Sequence, residues 1–278
     1  MFRVVGIVAR LDREEALRLA GEMAKFLKGR EVTPILEENL ARAMGVGWRA
    51  KPINEMRVDL LVTIGGDGTI LRACLQLPTP QPPILAVNMG VRGFLTEVSP
   101  SEGLEALDQC LRGDFTLETC TKIAAYIGEE RLPDALNEVL ITSEAPAKLL
   151  HLRLWRDGEP IAECRSDGVV VASQVGSTGY SLSAGGPVLD PDLEAFVLTP
   201  ICPLTVFHPI VFPLDSVIGV ELLKPKRATV VVDGHYRRAV GAEAPRVVVT
   251  RSEHKVSFIR LRSNFYERLK TRLLFSGG

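Results

Sequence analysis

The apolar run Val58 to Ile64 leads into Gly65-Gly66-Asp67-Gly68-Thr69, and apolar residues then recur at helical spacing from Thr69 to Leu77. A strand, a glycine-rich turn and a helix in immediate succession commit this part of the chain to an α/β layer. Three glycines here read as a loop whose backbone a phosphate chain can approach closely. The loop has neither the Lys-Ser/Thr pair of a P-loop nor the glycine spacing of a dinucleotide-binding turn. Its centre is an aspartate. A carboxylate among polyphosphate oxygens is repulsive unless a metal ion lies between them or the carboxylate is there to take a proton. The pattern points to phosphoryl transfer to a hydroxyl.

The same alternation fills the first hundred residues. Val4, Val5, Ile7 and Val8 suit a strand buried on both faces. Asp12 stands at an N-cap position before Glu14 and Glu15, and Leu17, Ala20, Ala24 and Leu27 carry a helix to Lys28. Val32–Leu36 and Ile84–Val87 predict further strands, 38–56 is ambiguous and partly helical, and Ser99 or Ser101 caps a helix reaching Leu111. Strands separated by helices in this way imply a mostly parallel sheet. After Phe115 short strand candidates follow with few helices between them: Lys122–Ile127, Ala135–Thr142, Leu149–Trp155, Glu159–Glu163, Gly168–Ala172, Val217–Leu223, Ala228–Val232 and Arg246–Val249. Arg156-Asp157-Gly158 reads as a hairpin turn between two of them. Phe265, Leu269 and Leu273 return to helical spacing. The expected architecture is a Rossmann-like parallel α/β domain over 1–113, an all-β, sandwich-like domain over 114–258, and a C-terminal helix within 259–278 that can pack back on the first domain.

Composition narrows the function. With 33 basic and 34 acidic side chains in 278 residues the net charge is −1, unlike the basic domains that bind nucleic acid. No uncharged run is long enough to span a membrane, and Met1 to Arg10 reads as a strand, not a signal peptide, so a cytoplasmic setting is expected. Cys74, Cys110, Cys120, Cys164 and Cys202 form no close pair and read as small buried hydrophobes in a reducing compartment. His151, His208, His235 and His254 lack metal-ligand spacing, so no protein-borne metal site is assigned.

Four further segments accompany the glycine loop: Asn88-Met89-Gly90-Val91-Arg92-Gly93-Phe94-Leu95; Asn137-Glu138; Asp167-Gly168 through Gly176-Ser177-Thr178-Gly179-Tyr180-Ser181-Leu182-Ser183-Ala184-Gly185-Gly186-Pro187; and Thr199-Pro200-Ile201-Cys202-Pro203. Together they make the sequence resemble the NAD kinases, which phosphorylate the adenosine-ribose 2′-hydroxyl of NAD to give NADP. Lipid kinases of the diacylglycerol and sphingosine type share the glycine loop, and phosphofructokinases have a near relative of it. The Gly176–Pro187 block is far more specific and separates this chain from them. Departures from the family pattern are Gly179 for its usual Ala, Arg92 for a hydrophobic residue, and Leu204 with His208-Pro209 where a histidine and an Arg-Pro pair are common.

Read from the residues, Asp67 either takes the proton of an attacking hydroxyl or caps the helix that follows. The resemblance implies the first. Gly65, Gly66 and Gly68 would offer backbone N–H groups to ATP phosphates, and Thr69 either donates from its hydroxyl or caps. Asn137 and Glu138 fall in a strand-like run, where neighbouring side chains point to opposite faces. They read as a solvated edge or, by resemblance, as lining for the NAD site near the adenosine. The resemblance likewise implies that Asp67, Gly68, Asp167, Ser177, Thr178, Gly179, Tyr180 and Ser183 contact the dinucleotide, with Asp167 a binding residue beside the glycine-serine block and not a second base. Phe94 is a pocket wall or a core residue, and Arg92 reaches a phosphate or solvent. Asp233-Gly234-His235 is a family marker or a tight turn. The substrates implied are NAD and ATP, with NADH and inorganic polyphosphate as related alternatives. Mg²⁺ would come with the ATP, held by phosphates and water, and a homodimer or homotetramer is implied. Two rivals are a lipid kinase, which would need an apolar acyl groove, and an inactive nucleotide-binding regulatory module.

Overall fold

The apolar runs of the N-terminal region become five parallel strands in the spatial order Ile84–Asn88, Leu60–Gly65, Val4–Ala9, Thr33–Glu37, Ala50–Lys51. This is a computed structural model, and it describes residues 2–90, 93–145, 148–225, 227–261 and 265–273. The chain divides into two compact units, Met1–Cys120 together with Val256–Gly278, and Thr121–Lys255.

In the first unit the chain moves outward from Val4–Ala9 through two strands, then returns to the other side of Val4–Ala9 as Leu60–Gly65. The order reverses there. At such a switch point the turns leaving adjacent strands diverge and open a crevice at the carboxyl edge of the sheet. Gly65-Gly66-Asp67 leaves the sheet at that place. The helix Glu14–Gly29 buries Ala16, Leu19, Ala20, Met23, Ala24 and Leu27 against a core that includes Val5, Ile7, Val62 and Leu85. Asp12 does not cap this helix. Arg13 occupies the N-cap position with no side-chain bond, because Asp12 is engaged by Arg10 at 2.6 Å, which lowers its carboxyl to about 2. The ambiguous stretch resolves into a helix, Glu38–Met44, a two-residue strand and the 3-10 turn Ile53–Glu55. Ser99 is the true cap of the fourth helical segment: its hydroxyl donates to Glu102 Oε2 at 2.6 Å, its backbone N–H to the same oxygen at 3.0 Å, closing a capping box ahead of Gly103–Arg112. The helix Phe265–Leu273 belongs to this unit, and the Phe265 ring lies 6.4 Å from that of Phe94.

The second unit is antiparallel. One sheet runs Ile210–Pro213, Ala195–Ile201, Gly168–Ala172, Glu138–Thr142, Ala228–Val232, Tyr236–Val240. A second ladder joins Glu159–Ser166, Leu150–Arg156, Ile218–Lys224 and the first part of Arg246–Arg260. Asp157 and Gly158, both at positive φ (51° and 87°), make the two-residue hairpin that the sequence suggests. Three strands of the first sheet are not predicted from the sequence: Ala195–Ile201 and Ile210–Pro213, whose prolines argue against strand, and Tyr236–Val240, short and carrying two arginines. Four of the cysteines are buried, but Cys202 is exposed, contrary to expectation, and all five are free thiols.

Candidate functional site

Asp67 is the first residue of the helix Asp67–Gln76, with Gly66 as N-cap, so the carboxylate does not cap its own helix. It reaches instead to the turn after the neighbouring strand Ile84–Asn88. Phe94 N–H donates to Asp67 Oδ2 at 3.0 Å, and Leu95 N–H donates to Oδ1 at 3.2 Å. Two amides thus orient a half-exposed carboxylate at the carboxyl edge of the sheet. Gly93 is obligatory there, since a β-carbon on it would fall on Asp67 Oδ1. Gly65 is buried beneath Thr69, whose hydroxyl occupies the place a β-carbon would need. Thr69 therefore shapes the loop and does not cap. Gly66 and Gly68 differ: among the described residues nothing lies within 4 Å of where their β-carbons would be, and Gly66 has an ordinary φ of −100°. Their glycine character keeps space open beside the first turn of the helix, where N–H groups and the helix dipole favour an anion. Phe94 is 6 % exposed, a core residue by burial, with its backbone serving Asp67. Arg92 lies outside the described residues.

The second unit holds the remaining candidates. Asp233, at positive φ in the turn before Tyr236–Val240, is 2 % exposed. Its carboxylate accepts from the backbone N–H groups of Leu136 (2.7 Å), Asn137 (2.8 Å) and Glu138 (3.0 Å). This cradle holds the chain entering the strand Glu138–Thr142 in a fixed turn, so the alternation expected of a strand does not apply to the Asn137-Glu138 pair. Both side chains are buried, and their ends converge on Gly179. A β-carbon there would sit 3.1 Å from Glu138 Oε2 and 3.3 Å from Asn137 Nδ2. Asn137 Oδ1 and Glu138 Oε2 have no hydrogen-bond partner among the described residues. The pair is a buried polar notch, not a solvated edge.

Burial, and then the Asp233 charge, push the Glu138 carboxyl up to about 8, opposed by a hydrogen bond from the Tyr180 backbone. Burial raises Asp233 too, but three amides oppose it. Three amide donors favour the charged form of Asp233, while burial and that neighbouring charge favour the protonated form of Glu138. A protonated Glu138 can donate, while the Asn137 amide both donates and accepts.

The glycine-serine block wraps this notch. Ser173 Oγ donates to Leu136 O at 2.6 Å, and Gly176 approaches Asn137 so closely that a β-carbon would strike its carbonyl oxygen. The hydroxyls of Ser177 and Thr178 are spent inside the block, donating to Gln174 O (2.6 Å) and Val175 O (3.0 Å). Tyr180 and Ser183 are exposed. Asp167 stands apart. Gly168 pairs with Thr142 while Ala172 pairs with Glu138, so Asp167 lies at the opposite end of the sheet, on the order of 15 Å along the strand. The structure does not bring it beside the glycine-serine block. His235 is exposed in the turn, where its N–H bonds Val232 O at 3.0 Å. The sequence motifs include Asp233, Gly93 and Gly176 but give them no role, and Ser173 is not singled out; the roles of the two glycines come from the side chain they lack.

Two family models match the chain, the ATP-NAD kinase N-terminal domain over residues 5–115 and the ATP-NAD kinase C-terminal domain over 136–261. An NAD kinase from Methanothermobacter thermautotrophicus is 42% identical over 98% of this chain and 97% of its own length. One from Thermococcus gammatolerans is 42% identical over 96% and 98%. The chain belongs to the ATP-NAD kinase family. Among solved structures, an NAD kinase from Archaeoglobus fulgidus in complex with ATP aligns with a TM-score of 0.77 and 30% identity, covering 97% of this chain and 96% of that one. Yeast NADH kinase complexed with NADH aligns with a TM-score of 0.89 over 99% and 88%, at 24% identity, a likeness of fold. The lipid-kinase alternative falls with these matches. The NAD kinase fold of this chain carries no trio of His, Cys, Asp or Glu among the described residues that could hold a metal ion. Nor, among the described residues, is any helix long and apolar enough to cross a membrane.

The proton on Glu138 has a consequence for stability. Its carboxyl is raised above the unfolded value of 4.5, so folding takes up a proton, and stability is fully present below that value and lost as pH rises through about 8. Replacing Glu138 by Gln, which mimics the protonated acid, should leave stability at pH 4.5 nearly unchanged. Across the window the wild type should lose ground to the variant by up to about 1.4 kcal/mol per pH unit. Urea melts at several pH values check this; parallel curves would show that Glu138 is ionised throughout.

Proposed function

We propose that this chain transfers the γ-phosphoryl group of ATP to the adenosine-ribose 2′-hydroxyl of NAD, giving NADP and ADP. The observation that carries the mechanism is the Asp67 carboxylate held by two amides beside glycines with open space around them. A ribose hydroxyl is a poor nucleophile at neutral pH. A fixed carboxylate aims its oxygen and receives its proton as the bond to phosphorus forms. Gly66, Gly68 and the first helical turn meet the ATP phosphates. Asn137 and protonated Glu138 hydrogen-bond the adenosine part of NAD, and Tyr180 offers a face for stacking. Ser177 and Thr178 support that surface through the block they brace, and Gly179 and Ser183 border it. Asp167 acts on the dinucleotide as a binding group at the other sheet end. Mg²⁺ fits this donor set because it keeps waters and phosphate oxygens and needs no protein cage. When bound with ATP it would neutralise phosphate charge, held by phosphate oxygens and water. A homodimer or homotetramer in the cytoplasm is the expected working state.

Purified protein given ATP, Mg²⁺ and NAD should yield NADP phosphorylated at the 2′ position, read by phosphorus NMR of the product. Phosphate on the 3′-hydroxyl, or no turnover, would sink the assignment.

The two polar sites should also separate in kinetics. Losing a hydrogen bond to an uncharged partner costs about 0.5–1.5 kcal/mol and more if a buried group is stranded, so Asn137→Ala should raise the KM for NAD roughly 3- to 30-fold and leave that for ATP nearly unchanged. Gly66→Ala should do the reverse with at most the modest loss of stability of an N-cap Gly→Ala change, since among the described residues nothing lies within 4 Å of its methyl, which fills the space for phosphate. Steady-state kinetics with each substrate varied decide it; both variants raising the same KM would refute the division.

A further inference from the structure

The first unit buries two arginines and a glutamate that the proposed chemistry leaves unused. Arg260, at the end of Arg246–Arg260, is 6 % exposed, and Glu97 is 4 % exposed. Arg260 Nη1 donates to Glu97 Oε2 at 3.1 Å and to the backbone oxygen of Leu95 at 3.2 Å, while its Nε donates to Glu118 Oε2 at 2.6 Å. Glu97 Oε1 accepts from Leu261 N–H at 2.9 Å. From the C-terminal helix, Arg268 adds Nη1 at 3.7 Å from Glu97 and Nη2 at 3.6 Å from Glu118. A buried ion pair is weak grounds for stability, since apolar residues of similar volume often serve as well or better. What such a cluster does supply is fixed geometry, because a planar guanidinium forms its bonds in set directions.

The geometry here leads to one place. Leu95 is pinned at both backbone groups: its N–H bonds Asp67 Oδ1 and its carbonyl accepts from Arg260. Phe94, whose N–H holds the other Asp67 oxygen, has its ring against Phe265 of the same C-terminal helix. We propose that Arg260, fixed by Glu97 and Glu118, is a positioning residue that sets the orientation of the Asp67 carboxylate through Leu95, making the C-terminal segment part of the catalytic apparatus. This rests on the reading of Asp67 as proton acceptor. Arg260 is buried and its bonds go to Glu118, Leu95 and Glu97, so by acting through Leu95 its loss should act on turnover and not on affinity.

Arg260→Lys keeps a cation beside the buried Glu97 but gives up the fork that reaches Leu95, Glu97 and Glu118 together. Misplacement of a reacting group by an ångström costs about 100-fold, so kcat should fall roughly 10- to 100-fold while both KM values stay within about threefold. Glu118→Gln, at a position one-third exposed, removes the anchor of Nε with little risk to folding and should give a smaller fall with the same split. The deciding measurement is a double-mutant cycle with Asp67→Asn. If Arg260 acts through Asp67, Arg260→Lys should change the residual rate of Asp67→Asn by less than about twofold. An equal fall in both backgrounds, or a lowered Tm with unchanged kcat, would overturn the proposal. If Asp67→Asn alone retained wild-type turnover, the reading of Asp67 would fail; if Asp67→Asn were slow and Arg260→Lys fast, only the present inference would.

Discussion

The carboxylate of Asp67 is held by two amides that belong to a different strand-to-loop transition from its own. The constraint ties the turn after Leu60–Gly65 to the turn after Ile84–Asn88, adjacent strands in register from Leu61↔Ile84 to Gly65↔Asn88. The parallel sheet matters to the chemistry for this reason. Had either strand slipped, the amides of Phe94 and Leu95 would miss the carboxylate. The glycines divide the remaining work. Gly65 and Gly93 admit Thr69 and Asp67, while at Gly66 and Gly68 no described residue lies within 4 Å of where a β-carbon would be.

The second unit solves a different electrostatic problem. Two carboxyl groups, Asp233 and Glu138, are buried close together, and both cannot ionise cheaply. Three backbone amides point at Asp233, and the Tyr180 backbone bonds Glu138. The asymmetry favours the charge on Asp233, where three amides hold the chain turn, and the protonated form of Glu138, a hydrogen-bond donor beside Asn137. Among the described residues Asn137 Oδ1 and Glu138 Oε2 have no hydrogen-bond partner, and a buried polar atom left so is costly. In the proposed function the polar groups of the adenosine are their partners.

The sequence announces the first unit well because its strands are buried on both faces and its helices carry one apolar stripe. The Gly65–Thr69 loop is legible for the same reason: it falls between two strong periodic signals. It is less informative where local and tertiary demands conflict. Asp12 has the right chemistry for a cap but is taken by Arg10, and Ala195–Ile201 is a central strand despite Pro200. Asn137 and Glu138 look like alternating strand residues, and only the remote Asp233, some 95 residues on, explains why their side chains converge. Asp167 lies close in sequence to the glycine-serine block, yet the strand Gly168–Ala172 between them carries it to the far end of the sheet. The Arg260–Leu95 contact, spanning 165 residues, leaves no local trace at all.

Whether Asp67 takes the proton of the attacking hydroxyl can be read from a single-turnover measurement on Asp67→Asn. The substitution keeps size and one acceptor oxygen but removes the base. With ATP and NAD saturating, and ATP affinity measured separately by calorimetry, the rate of phosphoryl transfer should fall about 10²- to 10⁴-fold while ATP still binds. A variant that kept more than about a third of the wild-type rate would contradict the account, because a lost general base costs far more than that.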